Sequence, residues 1–283
     1  MDAWPDGGLR YHIFDPTGNI TALVEGEIAV EMQPLVAMRI MERHPQVEQV
    51  GFVSNGGVAD KSDVHATLRM AGGEFCGNAS MCAAAWFALG DKETHDSQDQ
   101  ATVWLRVSGA SQPVEIHLTK ADDGAFQTSI CMPKAQAIKM VVLAFEHLEG
   151  ALPLVRMEGI SHLVVAQSSA FASLAKAKKD AERAVRQWCD ELGFDGLGMM
   201  FLDDGASEFC LTPLVYVPGS DTVFWENSCA SGSAAVGMYL AAKAATPTSV
   251  TLHEPGGTLR VESDPDTART WLYGSVRLMH EYG

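Results

Sequence analysis

The sequence predicts an α+β fold built as two similar lobes. Three observations carry this. Short alternating or apolar runs of strand type recur along the whole chain, only two helical stretches interrupt them in each half, and a segment around Cys76 recurs in altered form around Cys229, 153 positions later. Many strands with so few helices oppose a doubly wound parallel sheet, in which helix and strand alternate.

In the first half the strand runs are "RYHIF" (10–14), "ITALV" (20–24), "VEQVGFV" (47–53), "VHATLRM" (64–70), "TVWLRV" (102–107), "VEIHL" (114–118) and "FQTSICM" (126–132). One helix is predicted over 31–43, with Pro34 tolerable in its first turn, and another over 77–89. Pro133 stops a strand, and "KAQAIKM" opens a new run. Strands follow near 138–143, 152–157, 162–166, 197–203, 208–216, 249–253, 258–263 and 270–276, with helices near 173–193 and 230–243. The lobes are therefore expected at 1–134 and 135–271.

Aligning the two cysteines sets "CGNASMCAAAWFA" against "CASGSAAVGMYLA". Both start small or polar, turn Ala-rich, and carry an aromatic ten residues on, Trp86 and Tyr239. Each half then has a glycine turn into a strand, "VSGASQPVEIHL" and "HEPGGTLRVES". A repeat of this period argues for two similar lobes.

Composition narrows the function. A hydrophobic content of 47% with 20% charged residues fits a soluble globular protein. No apolar run approaches the roughly 20 residues of a membrane helix. "MDAWPDGGLR" has neither the basic nor the apolar region of a signal peptide, which points to the cytoplasm. With 36 acidic against 20 basic residues the net charge is −16, which disfavours nucleic acid as a partner. The six cysteines show neither CxxC spacing nor a zinc-type cluster, so no metal site is expected and free thiols are.

Cys76 and Cys229 each precede the first turn of a predicted helix, where unsatisfied N–H groups and the helix dipole favour an anion. A thiol so placed is expected to have a lowered pKa. The small residues Gly77, Asn78, Ser231 and Gly232 let a carboxylate approach the same N–H groups. Two such ends facing one ligand suit the inversion of an amino-acid α-carbon, with one thiolate removing a proton and one thiol returning it to the other face. Converging helix ends would stabilise the carbanion. This scheme needs no cofactor, and no convincing Schiff-base lysine is present.

"EFCGNA" and "WENSCASGSAA", with "PTGN" at 16–19 and "HEPGG" at 253–257, resemble the cofactor-independent diaminopimelate epimerase superfamily. "GGEFCGNA", "EQVGF", "LGMMFLD" and "WENSC" are most similar to its histidine racemase branch, which supplies D-histidine for opine-type metallophores such as staphylopine. The resemblance spans about residues 10–275. It implies that each mostly antiparallel sheet wraps a central helix, that the C-terminal strand (about 272–283) returns to the first lobe, and that the enzyme is a homodimer acting on a small amino acid. It makes Cys76 and Cys229 the acid/base pair, places Asn19 and Gln49 near the substrate, and puts its α-carboxylate on Gly77, Asn78, Ser231, Gly232 and Ser233.

The departures concern the substrate. The Glu-Arg pair that epimerases carry before the second cysteine is missing, and no Lys or Arg occurs from Gln187 to Ala242. The family's "GNPH" reads "GISH" at 159–162, and Gly198 stands where an asparagine is expected. A distal carboxylate would lack its cation. What remains is an aromatic and acidic edge, Phe224, Trp225 and Glu226 with Glu48 nearby, compatible with an imidazole. Glu74 reads as a charge favouring a helix N-terminus, and His162 as structural. Two other readings stay open, an epimerase for another amino acid and a thiol redox protein using the same two cysteines.

Overall fold

The alternating runs become strands, and the strands join one continuous sheet. The structure, a computed structural model, describes residues 8–55, 64–90, 100–205 and 208–283; the stretch "MDAWPDG" lies outside the described residues. The first half contains β1 (Tyr11–Asp15), β2 (Thr21–Glu25), α1 (Gln33–Arg43), β3 (Gln49–Asn55), β4 (Ala66–Met70), α2 (Gly77–Gly90), β5 (Gln100–Val107), β6 (Val114–Lys120) and β7 (Phe126–Cys131). The second contains β8 (Ala137–Phe145), β9 (Leu148–Arg156), β10 (Ser161–Ala166), α3 (Lys178–Leu192), β11 (Leu197–Asp203), β12 (Phe209–Val217), β13 (Thr222–Trp225), α4 (Ala230–Ala244), β14 (Thr248–Glu254), β15 (Gly257–Asp264) and β16 (Arg269–Tyr282).

The helix boundaries follow local rules. A 3₁₀ turn at Val30–Met32 leads into α1, with Pro34 in its first turn, where the absent N–H is no loss. The expected helix at 173–193 divides into a 3₁₀ turn, Ala172–Ala175, and α3, which ends on Gly193 in the left-handed conformation that glycine adopts freely. β13 is the strand that sequence reading did not anticipate. Its four residues are all half-buried, so no alternation marks it.

Pairing reveals the repeat at the level of topology. From β1 to β7 the neighbours run antiparallel, parallel, antiparallel, parallel, antiparallel, antiparallel. From β9 through β10, β11, β12, β14 and β15 to β16 the same order recurs. β7 and β16 pair with each other where the halves meet. β16 then runs on to pair with β1, from Asp15↔Arg277 to Tyr11↔Tyr282. The chain leaving β7 passes Pro133 and pairs as β8 with β9. The second half thus lends the end of its last strand to the first.

α2 and α4 are apolar on every side, as helices enclosed by sheet must be. Their Ala-rich turns are buried within the largest core, together with Leu105, Ile116, Leu259 and Leu272 from the surrounding strands. α3 and α1 cover the outside, over Trp188, Leu163 and Phe201 in one half and over Ile40, Val50 and Phe52 in the other.

The halves also touch at two matched glycine pairs. The turn between β1 and β2 places Gly18, at φ +97°, against Gly256 of the β14–β15 turn; a methyl group on Gly18 would lie 2.4 Å from the Gly256 Cα. The equivalent turns place Gly159 against Gly109, with 2.7 Å to its Cα. Gly18→Ala combines an unfavourable φ with a backbone collision, and should lower unfolding free energy by about 1–3 kcal/mol. Urea denaturation reads this directly, and an unchanged midpoint would contradict the contact.

Candidate active site

Cys76 and Cys229 are the residues from which α2 and α4 begin. The Cys76 carbonyl accepts from the Ser80 N–H at 3.0 Å, and the Cys229 carbonyl accepts from the Ser233 N–H at 2.8 Å, so each closes the first turn of its helix. The two helix starts abut. A methyl group on Gly77 would sit 2.9 Å from the Ala230 Cβ, so the glycine after the first cysteine is what lets the ends approach. Asn78 donates from Nδ2 to the Ser228 carbonyl at 3.0 Å, tying one helix start to the segment leading into the other.

Both thiols line one cavity of about 650 Å³. Its walls include Glu48, Gln49, Glu74, Gly77, Asn78, Glu226, Ala230 and Ser231, with α1 contributing Leu35, Met38, Met41 and Glu42 and the second half contributing Ile160, Val215, Val217 and Phe224. No lysine, arginine or histidine is among the described residues that line it, whereas four glutamates are. The aliphatic wall and the acidic groups suit a ligand with a flat or apolar body and positive or N–H-bearing ends.

The acidic groups form a network that crosses between the halves. Gln49 donates from Nε2 to Glu226 Oε1 at 2.6 Å. Glu48 accepts from Asn19 Nδ2 at 3.2 Å, from the Asn227 N–H at 3.2 Å, and from the Asn227 side chain. Behind α4, Glu254 accepts from the Cys229 N–H at 2.7 Å and from the Ser233 hydroxyl.

Electrostatics corrects one expectation. Burial pushes the Cys76 thiol above the usual range, and Glu226 and Glu74 add to the rise, outweighing the N–H groups of Ala79 and Asn78 that face its sulfur. Cys229 is likewise raised well above the ordinary value by burial, with Glu226 and Glu254 reinforcing it and Ser231, whose Oγ lies 3.6 Å from the sulfur, opposing it. Helix N-termini lower a thiol's pKa where water and cations are at hand. Here desolvation and carboxylates win, and both free thiols are held protonated. Burial raises Glu226 and Glu254 to about 8 as well.

Of the residues singled out in the sequence, Cys76, Cys229, Glu48, Gln49, Gly77, Asn78, Glu226 and Ser231 meet in the cavity. The other four lie outside its lining. Asn19 is fully buried and orients Glu48. Gly232 leaves room: a methyl group there would overlap the Met200 sulfur and approach the Cys229 sulfur to 3.2 Å. Both the N–H and the hydroxyl of Ser233 are already committed, to Cys229 and Glu254, so Ser233 is a support rather than a ligand contact. Trp225 faces away, stacked on Phe201 at 5.6 Å with its indole N–H on Glu182 of α3 at 2.9 Å. Strand alternation gives the cavity Phe224 instead. His162 is fully buried against Gly198 and driven down to about 3 by burial, hence neutral.

Three contributors were missed. Ala230 carries no chemistry that marks it. The α1 wall was invisible because Leu35 and Met38 look like ordinary helix apolars. Glu74 was read as a dipole partner, and only its enclosure shows otherwise.

Comparison with known proteins matches residues 8–279 to the family described as the histidine racemase CntK N-terminal domain. A histidine racemase of Fusobacterium nucleatum is 31% identical over 239 residues, covering 82% of this chain and 81% of that protein. One from Staphylococcus aureus is 29% identical over 258 residues, covering 90% and 88%. In fold, a hydroxyproline epimerase from Agrobacterium vitis, solved with trans-4-hydroxy-L-proline bound, agrees at a TM-score of 0.70 and 12% identity, over 99% of this chain and 94% of that one.

The buried carboxyls set a pH dependence of stability. Glu226 and Glu254 stand at about 8 in the folded chain against an ordinary 4.5, so the native state holds protons that the unfolded chain releases between those values. Stability should therefore fall as pH rises through that window. Glu254→Gln removes one titration, and its thermal midpoint should fall less between pH 5 and pH 8 than that of the parent protein. Parallel curves would contradict the buried protonation.

Proposed function

The chain belongs to the histidine racemase family, and we propose that it interconverts L- and D-histidine by proton transfer between the α-carbon and two thiols, Cys76 and Cys229. The observation that carries this reading is the cavity itself, with two cysteines at opposed helix starts and an acidic, cation-free lining. Each lobe contributes one thiol, residues 1–134 with the returning C-terminal strand supplying Cys76 and residues 135–271 supplying Cys229.

In this scheme the substrate's α-carboxylate sits on the first-turn N–H groups of both helices, around Gly77, Asn78, Ala230 and Ser231. Helix starts have such donors to spare, and both dipoles favour the anion. The same groups stabilise the second negative charge that develops when the α-proton leaves. The ammonium lies against Glu226, whose field reaches both sulfurs. A cation arriving there offsets the carboxylates that hold the thiols protonated, so binding itself favours the thiolate. One sulfur removes the α-proton and the other donates to the opposite face, and the reverse reaction exchanges their roles. Both proton carriers are side chains of the chain, so no cofactor enters the scheme.

The lining argues against diaminopimelate, whose distal carboxylate would meet glutamates and, among the described residues, no cation. We further read the enzyme as a cytoplasmic homodimer. The exposed apolar side chains Ile138, Met140 and Val142 on β8 support association. The resemblance of "GGEFCGNA" and "WENSC" supports a role in supplying D-histidine for an opine-type metallophore.

Incubation of L-histidine with the enzyme in heavy water should place deuterium at the α-carbon and build D-histidine. Cys76→Ser and Cys229→Ser should each reduce racemisation by about 10²–10⁴-fold while leaving the circular dichroism spectrum unchanged. Racemisation at wild-type rate in either variant would overturn the two-thiol scheme, and absence of exchange with reduced wild-type protein would overturn the reaction.

A further inference from the structure

Three buried or half-buried glutamates face the cavity, and two are accounted for. Glu48 takes donors from Asn19 and Asn227 on both oxygens. Glu226 takes Gln49 and lies beside Cys229. Glu74 differs. Its Oε2 is buried without any hydrogen-bond partner, although the residue lines the cavity. Arg69 eases its charge only from a distance, since the guanidinium donates to Gln33 Oε1 at 2.9 Å and to the Met70 carbonyl at 2.8 Å. An enclosed carboxylate oxygen with no partner is costly, and such a group in a ligand cavity points to a donor that the ligand brings.

We propose that Glu74 is the specificity-determining residue that accepts the N–H of the substrate's imidazole ring. This rests on the histidine racemase reading and assigns the part of the site that tells histidine from other amino acids. The position favours the side chain over the ammonium. The ammonium is one bond from the α-carbon, which must lie between the two sulfurs, and Glu226 acts on both of them. Glu74 lies on the Cys76 side of the cavity, two residues before that thiol, whose pKa it helps to raise. It also adjoins the apolar wall: a methyl group on Gly72 would lie 2.5 Å from Glu74 Oε2 and 2.8 Å from Val217 Cγ1. Gly72 therefore leaves the carboxylate its place, and Val217 offers a flat aliphatic surface beside it. A ring nitrogen stands three or four bonds from the α-carbon, farther out than the ammonium, as an acceptor beside the apolar wall requires.

A site that hydrogen-bonds a substrate N–H rejects analogues that lack it, because its own polar group is then left unpaired. The test compares α-proton exchange in heavy water for L-histidine and its two ring-N-methyl derivatives, with wild type and Glu74→Gln. Wild type should disfavour one methylhistidine relative to the other by about 100-fold in kcat/KM, since only one ring nitrogen faces the acceptor. Glu74→Gln should raise KM for histidine about 10- to 100-fold with a much smaller fall in kcat, and should bring the two methylhistidines within a few-fold of each other. Glu74→Asp, which keeps the charge but withdraws it by one methylene, should give an intermediate KM and covers a failure of the glutamine variant to fold. An unchanged KM, or discrimination that survives both variants, would overturn the assignment while the histidine reading stands. A raised KM with unaltered discrimination would place Glu74 on the ammonium and also overturn it. Wild type that exchanges no α-proton of histidine would sink the underlying reading and this assignment with it.

Discussion

Two helices begin face to face inside the molecule, and most of the rest follows from that. α2 and α4 bring their positive ends together where Gly77 meets Ala230. Like dipole ends at close range repel, and burial sharpens the repulsion. Such an arrangement calls for anions. Carboxyl groups gather round these ends: Glu254 accepts from the Cys229 N–H behind that turn, and Glu226 and Glu74 line the cavity. The α-carboxylate of an amino acid would answer both helix ends at once. The small residues around both cysteines serve the same end, since bulk there would separate the helix starts.

The sheet holds these ends in place through its two-fold repeat. β7 and β16 lie side by side, and β16 then runs on to pair with β1, so that the first half's ring of strands is closed by a strand from the second. The Gly18–Gly256 and Gly109–Gly159 contacts repeat the same exchange at the turns. Polar bonds across the cleft, Gln49 to Glu226 and Asn227 to Glu48, tie the halves nearest the thiols. Precision at the reacting centre therefore comes from packed, mutually locked elements, which is where a reaction needing two groups on opposite faces of one carbon must be built.

Much of this was legible in the sequence. Alternation located the strands of both halves, and the Cys76/Cys229 repeat anticipated a symmetry that the order of parallel and antiparallel pairs displays in full. Local grammar succeeded where a local cause acts: Pro34 in a first turn and Pro133 at a break. It failed where the cause is tertiary. β13 carries no alternation because all four residues are half-buried. Trp225 and Phe224 are adjacent aromatics, and only the pairing of β13 with β12 decides which one meets the cavity. The thiol pKa was misjudged because a helix end argues for a lowered value, while burial and nearby carboxyls argue more strongly for a raised one. Glu74 illustrates the same limit, since a carboxylate before a helix has a common local explanation and its missing partner can be seen only in three dimensions.

The central claim is that two different groups, one on each face, handle the proton. The most direct test follows L-histidine in heavy water at low conversion and reads deuterium separately in substrate and product. Two thiols predict D-histidine that is almost fully deuterated from the first turnovers, while the recovered L-histidine remains largely protonated. Product that retains the original α-proton would show one group acting on both faces and would contradict the account.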